Sequence, residues 1–136
     1  MSGGYVLAFD FGLRHIGVAV GQPVTGTASP LTTLPARHGK PDWEQVRRLI
    51  EEWQPQVLLV GLPLNMDDTE SEMSAQARRF AAALARRCGR QVLMVDERLT
   101  SFATRQADMN ERHGAAAALV AETWLAEPHQ GRPPEG

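Results

Sequence analysis

The chain has 136 residues, 43% of them hydrophobic and 22% charged, with a formal net charge of −2, which is the profile of one ordinary globular domain. That charge excludes a small protein that coats nucleic acid through bulk positive charge, though not an enzyme whose acidic site offsets its basic patches. No apolar run is long enough to span a bilayer, the opening MSGGY lacks the parts of a secretory signal, and one cysteine allows no intramolecular disulfide.

The first element is a strand, YVLAFDF, with strict alternation. Tyr5, Leu7, Phe9 and Phe11 point one way, and Val6, Ala8 and Asp10 the other. Asp10 thus puts a carboxylate in an apolar strand, which is costly unless it is paired, hydrogen-bonded or bound to a cation. Gly12 can supply a tight positive-φ turn into a second strand, His15–Gly21. A third strand is expected near Ala28–Leu34, followed by a loop over Arg37–Pro41. Pro41-Asp42 opens a helix with Val46, Leu49, Ile50 and Trp53 on its apolar face, and Gln54-Pro55 ends it. Val57–Val60 reads as a strand buried on both faces, closed by Gly61-Leu62-Pro63.

A polar connection, Asn65 to Glu70, leads into a helix over Ser71–Cys88 with Met73, Ala77, Phe80, Leu84 and Cys88 on its apolar face. Gln91–Val95 is a further buried strand that stops at Asp96-Glu97-Arg98. Thr100 or Ser101 can N-cap another helix. A last helix covers Ala115–Ala126, and residues 128–136 read as a disordered tail. The order βββαβαβαα implies an α/β fold, a mixed sheet with helices on its faces and no linker or second domain.

Asp10 and Glu97, or its neighbour Asp96, stand at the ends of predicted buried strands, where α/β folds place their sites. Converging carboxylates suit Mg²⁺ or Mn²⁺, and two such ions roughly 4 Å apart can activate a water and stabilise a phosphodiester's leaving oxygen. The plainer alternative is a turn cap at Asp10 and a loop start at Asp96 or Glu97.

Three runs, FDFGLRHIGVAVG, VGLPLNMDDTE and DERLTS, occur in this order at compatible spacing. Together they resemble the YqgF (RuvX) family of RNase H-like proteins, pre-16S rRNA nucleases related in fold to the RuvC Holliday-junction resolvases. The resemblance covers about residues 4–127. It implies an RNase H-like fold with a mixed five-stranded sheet flanked by helices. It also implies Mg²⁺- or Mn²⁺-dependent phosphodiester cleavage and a cytoplasmic role in ribosomal RNA maturation, with precursor 16S rRNA as partner and no membrane. By position, Asp10 matches the aspartate that holds metal and Gly12 the glycine after it. Arg14 falls at a usually basic position suited to a phosphate. Glu97 matches the second acid, with Asp96 as the alternative.

The family's third acid, before the last helix, falls on His113, with Glu111 and Asp108 upstream. Three readings stay open there: His113 serves as a catalytic or metal-binding substitute, the site has diverged, or part of the loop around residues 104–114 is missing from this numbering. Asn65, Arg98, Arg79 and Arg86 are candidate nucleic-acid contacts. For the arginines at 78, 79, 86, 87 and 90, a solvated helix face is an equal alternative, and for the 65–70 connection an ordinary loop is. Trp43, Trp53 and Trp124 have core spacing, Cys88 reads as a buried thiol, and His15, His38 and His129 show no zinc spacing.

Besides the nuclease acting on ribosomal RNA, a structured-DNA resolvase and a catalytically degenerate RNase H-like binding module remain open. The D-x-G hairpin also resembles the phosphate loop of sugar kinases and actin-like ATPases, but those need two domains.

Overall fold

A computed structural model describes residues 4–65, 67, 69–97 and 109–134, with the side chains of 109–112 left aside. Its elements are β1 (Val6–Asp10), β2 (His15–Gln22), β3 (Thr27–Arg37), β4 (Lys40–Pro41), α1 (Trp43–Trp53), β5 (Val57–Leu62), α2 (Glu72–Cys88), β6 (Val92–Asp96) and α3 (Met109–Ala126). The sheet runs β4-β3-β2-β1-β5-β6. The first four strands pair antiparallel, while β1, β5 and β6 are parallel. The α/β expectation holds, with one more strand than the five expected. The extra strand is β4, two residues inside the stretch read as a loop. It is too short for alternation to show.

The alternation of β1 decides which helix lies where. Leu7 and Phe9 join Val46, Ile50, Phe80 and Leu84 in the larger core under α1 and α2. Val6 and Ala8 face the other way, onto Val120 and Ala121 of α3. Asp10 follows in that second register, so its carboxylate rises on the α3 side. The helix ends obey local chemistry. Asp42 caps α1 by accepting from the Glu44 N–H, and Ser71 and Ser74 form a capping box at the start of α2. The three tryptophans pack as expected: Trp43 stacks on Phe80, Trp53 meets Tyr5 edge-on, and Trp124 joins the core under α3. Cys88 is half-buried at the rim of the larger core.

Residues 128–134, expected as disordered tail, are docked here. Pro128–Gln130 makes one 3₁₀ turn, and Arg132 bridges antiparallel to Met94 on the outer edge of β6. Backbone pairing and the contact of Gly131 with Trp124 hold this polar segment, neither of which composition reveals.

Gly12 and Gly17 each permit a close approach. Gly12 is required for space rather than for the positive φ expected of it, because a Cβ there would overlap the His15 carbonyl. Gly17, opposite Asp10 in the β1–β2 register, lies against the backbone of His113, and a Cβ would overlap that residue's carbonyl. The clash is with backbone, so relief requires α3 to move. Gly17→Ala is therefore expected to destabilise the fold by about 2–3 kcal/mol, read as a lower urea midpoint at unchanged slope.

Candidate active site

Asp10 ends β1, and Glu97 directly follows β6, two strands away with β5 between them. Strands two apart are separated by roughly 10 Å, so the two carboxyls meet only if the intervening strand lets them. Gly61 provides that opening. The parallel register pairs Phe9 with Val60, which brings Gly61 level with Asp10. A Cβ on Gly61 would overlap the Glu97 carboxyl. The bare position lets the longer glutamate cross β5 and hydrogen-bond Asp10. Leu93 and Val95 of β6 pack under α3, and Glu97 continues that face, whereas Asp96 starts from the opposite one.

Both carboxyls are half-buried and both titrate above their ordinary values. Burial is the leading cause for each. For Glu97 the hydrogen bond to Asp10 and the negative charges of Asp10 and Asp96 add to it, and its pKa is pushed up to about 9. For Asp10 the upward push of burial is opposed by the hydrogen bond from Glu97 and by nearby His113. Near neutral pH the Glu97 hydroxyl thus donates to the Asp10 carboxylate, and one proton serves two acids.

His113 stands within α3, whose first turns extend six residues before the expected start at Ala115. Gly17 admits it against β2, and its ring stacks on His15 with centroids 5.0 Å apart. The structure therefore brings Asp10, Glu97 and His113 to one place and adds His15, which sequence spacing did not single out. The paired role of Gly17 and Gly61 was also missed. The available signal was a glycine on the Asp10 face of each strand flanking β1. Among the described residues, no group of three or more His, Cys, Asp or Glu side chains is arranged to hold a metal ion.

The candidate nucleic-acid contacts scatter. Arg14 is exposed in the loop just after Asp10, with its carbonyl accepting from the Ala36 N–H. Asn65 closes its own turn, donating to the Thr69 hydroxyl at 2.9 Å. Arg79 faces Glu72 at 3.8 Å on the exposed side of α2. Arg86 lies in the last turn of α2, which leads into the start of β6, whereas the carboxylates lie beyond its end. Of the neighbouring arginines, Arg78 clamps Glu70 and the Pro134 carbonyl, Arg87 covers the Trp43 ring and Arg90 donates to the Pro55 carbonyl. Arg98, Thr100, Ser101, Asp68 and Asp108 lie outside the described residues, as do the side chain of Glu111 and residues 104–108 of the 104–114 stretch.

Comparison with known proteins places this geometry in context. A family model described as "RuvX: Holliday junction resolvase" matches residues 4–127. A protein of Marinobacter nauticus named "Putative pre-16S rRNA nuclease" is 53% identical over 132 residues, covering 90% of this chain and 92% of the relative. One of the same name from Pectobacterium carotovorum is 47% identical over 135 residues, covering 91% and 96%. Among solved structures, Thermus thermophilus RuvC in complex with a Holliday junction substrate aligns with a TM-score of 0.62 at 15% identity, over 96% of this chain and 99% of that one. The yeast mitochondrial Holliday junction resolvase Ydc2 aligns at 0.54 and 12% identity, over 92% and 79%. At that identity the likeness is one of fold, and the fold is RNase H-like.

Proposed function

The chain belongs to the RuvX family, and from that membership we propose a cytoplasmic, divalent-cation-dependent nuclease that trims the 5′ end of precursor 16S ribosomal RNA. The observation that carries this reading is the meeting of the Asp10 and Glu97 carboxyls across Gly61. Two half-buried acids sharing one proton are a poor arrangement for stability and a good one for holding a cation. The names of the curated relatives support precursor 16S rRNA as substrate. No helix among the described residues is long and apolar enough to cross a membrane.

The donor set fits one Mg²⁺ or Mn²⁺. Two hard carboxylate oxygens on rigid strand ends would hold it, donors that suit either ion. When bound, the cation supplies charge against the phosphodiester and makes a water more acidic. The chain's own residues then have separate tasks. Asp10, held by β1, fixes the position of the negative charge. Glu97 yields the proton it shares with Asp10, so both acids can ligate. His113, seated through Gly17 and stacked on His15, orients the Asp10 carboxylate from the helix side.

A non-catalytic RNase H-like module is the second reading, favoured by the histidine in place of a third acid. The test is incubation with Mn²⁺ and either a precursor 16S fragment or a four-way DNA junction. The expected outcome is a defined cut near the 5′ end of the ribosomal precursor. Paired symmetric nicks confined to the junction would favour a resolvase, and an intact RNA and junction would favour the module.

A further inference from the structure

We propose that the β3–β4 hairpin, with the loop after Asp10, forms a phosphate-binding wing that holds the nucleic-acid backbone beside the carboxylate pair. This rests on the nuclease reading above and goes beyond it, because Arg37, His38 and Lys40 were read only as part of a loop.

The hairpin is built for close attachment. His38 and Gly39 both have positive φ, 52° and 79°, the two-residue turn that matches strand twist. Gly39 is needed there, since a Cβ would press on the ring of Phe11. The Gly39 N–H donates to the Leu13 carbonyl at 2.9 Å, and the Ala36 N–H donates to the Arg14 carbonyl at 2.8 Å. The hairpin is therefore laced to the residues that immediately follow Asp10.

Its charges have no internal explanation. Arg37 and Lys40 are direct cross-strand partners, and both are exposed. Like charges placed opposite each other oppose hairpin formation. Four arginines of the helices have carboxylates: Arg47 pairs with Glu44 and Glu51, Arg48 with Glu44, Arg78 with Glu70 and Arg79 with Glu72, while Arg87 covers Trp43 and Arg90 donates to the Pro55 carbonyl. Arg14, Arg37 and Lys40 make no ion pair among the described residues, and His38 adds an imidazole at the tip. A local repulsion of this kind is relieved by a polyanion that lies across it. The phosphodiester chain, common to RNA and DNA, is that polyanion, and the wing is bonded to the loop that directly follows Asp10.

Binding is measured by fluorescence anisotropy in an Asp10→Asn background, which prevents turnover. The probes are a single-stranded RNA, a DNA of the same sequence and a four-way DNA junction. Arg37→Ala/Lys40→Ala is expected to weaken binding roughly tenfold and to reduce the slope of log affinity against log salt by about 1.4 for single strands. Arg79→Ala/Arg86→Ala, matched in charge on α2, is expected to lose much less. Equal losses from the two double variants, or no loss from the first, overturn the wing while leaving the nuclease reading in place. A parent that binds none of the three probes overturns both. The probe most weakened by the double variant identifies which nucleic acid uses the wing. Arg37→Glu, also at the surface, should deepen the defect without lowering the melting temperature, and a drop in melting temperature that accounts for the lost binding counts against the wing.

Discussion

Asp10→Asn is expected to reduce Mn²⁺-dependent cleavage at least about a thousandfold while leaving the fold intact. The substitution keeps the shape of the side chain and its hydrogen bond with Glu97 but removes the negative charge that would hold the cation. A cation's electrostatic contribution to the transition state amounts to several kcal/mol, and each ~1.4 kcal/mol is a factor of ten in rate. The metal-free variant should melt at or above the parent's temperature, because a neutral amide is spared the burial penalty that the Asp10 charge bears. Initial cleavage rates and circular-dichroism melts on the same samples check both halves. Undiminished cleavage would remove Asp10 from the site. His113→Asp is the informative companion: greater activity in that variant would mean that the imidazole limits the parent.

The second large effect concerns pH. The Glu97 carboxyl, ordinarily near 4.5, is pushed up to about 9 in the folded chain, so between those values the folded state holds a proton that the unfolded state has released. Stability of the metal-free protein should then be greatest below about pH 4.5 as far as this group is concerned. It should fall as pH rises towards 9 and level off above that. Glu97→Gln removes the titration. At pH 7 the variant is expected to be more stable than the parent by about 3 kcal/mol, or roughly 10 °C in melting temperature, and the gap should shrink towards pH 5. Asp10, also raised, adds a slope of the same sign. Melts in chelator from pH 5 to 9 provide the comparison. Parallel profiles for the two proteins would show that Glu97 does not carry the shared proton. In the parent, added Mn²⁺ should restore more stability at pH 8 than at pH 6, since it takes the place of that proton.

Much of the site was legible because the strands announce themselves. Asp10 breaks an alternating pattern, and that pattern places its carboxylate on the face later found under α3. What the sequence could not disclose was adjacency. That Glu97 meets Asp10 depends on the strand order β1-β5-β6 and on a bare position in the middle strand, both non-local facts. The places of the two acids at strand ends offered the pairing beside a plainer alternative, and the family resemblance favoured it. The start of α3 was placed late because Asn110, His113 and Gly114 are weak helix formers beside the alanine run that follows. Packing of Gly17 on the His113 backbone overrides that preference. The hairpin at 37–40 was missed because a two-residue strand has no period to read, and because its positive charges gain meaning only once the loop after Asp10 is seen beneath it.

The docked segment after α3 bears on how copies of this protein behave when crowded. Arg132 takes up the backbone groups of Met94 at the centre of the outer edge of β6. The opposite edge, along β3, is broken by Pro30 and Pro35 and is paired with β4 only at Ala36 and Arg37. Fibrous growth of a sheet needs two free edges per copy, one to receive and one to offer. With Met94 on one margin already bonded to its own chain, a neighbour's strand could pair there only by displacing the segment after α3.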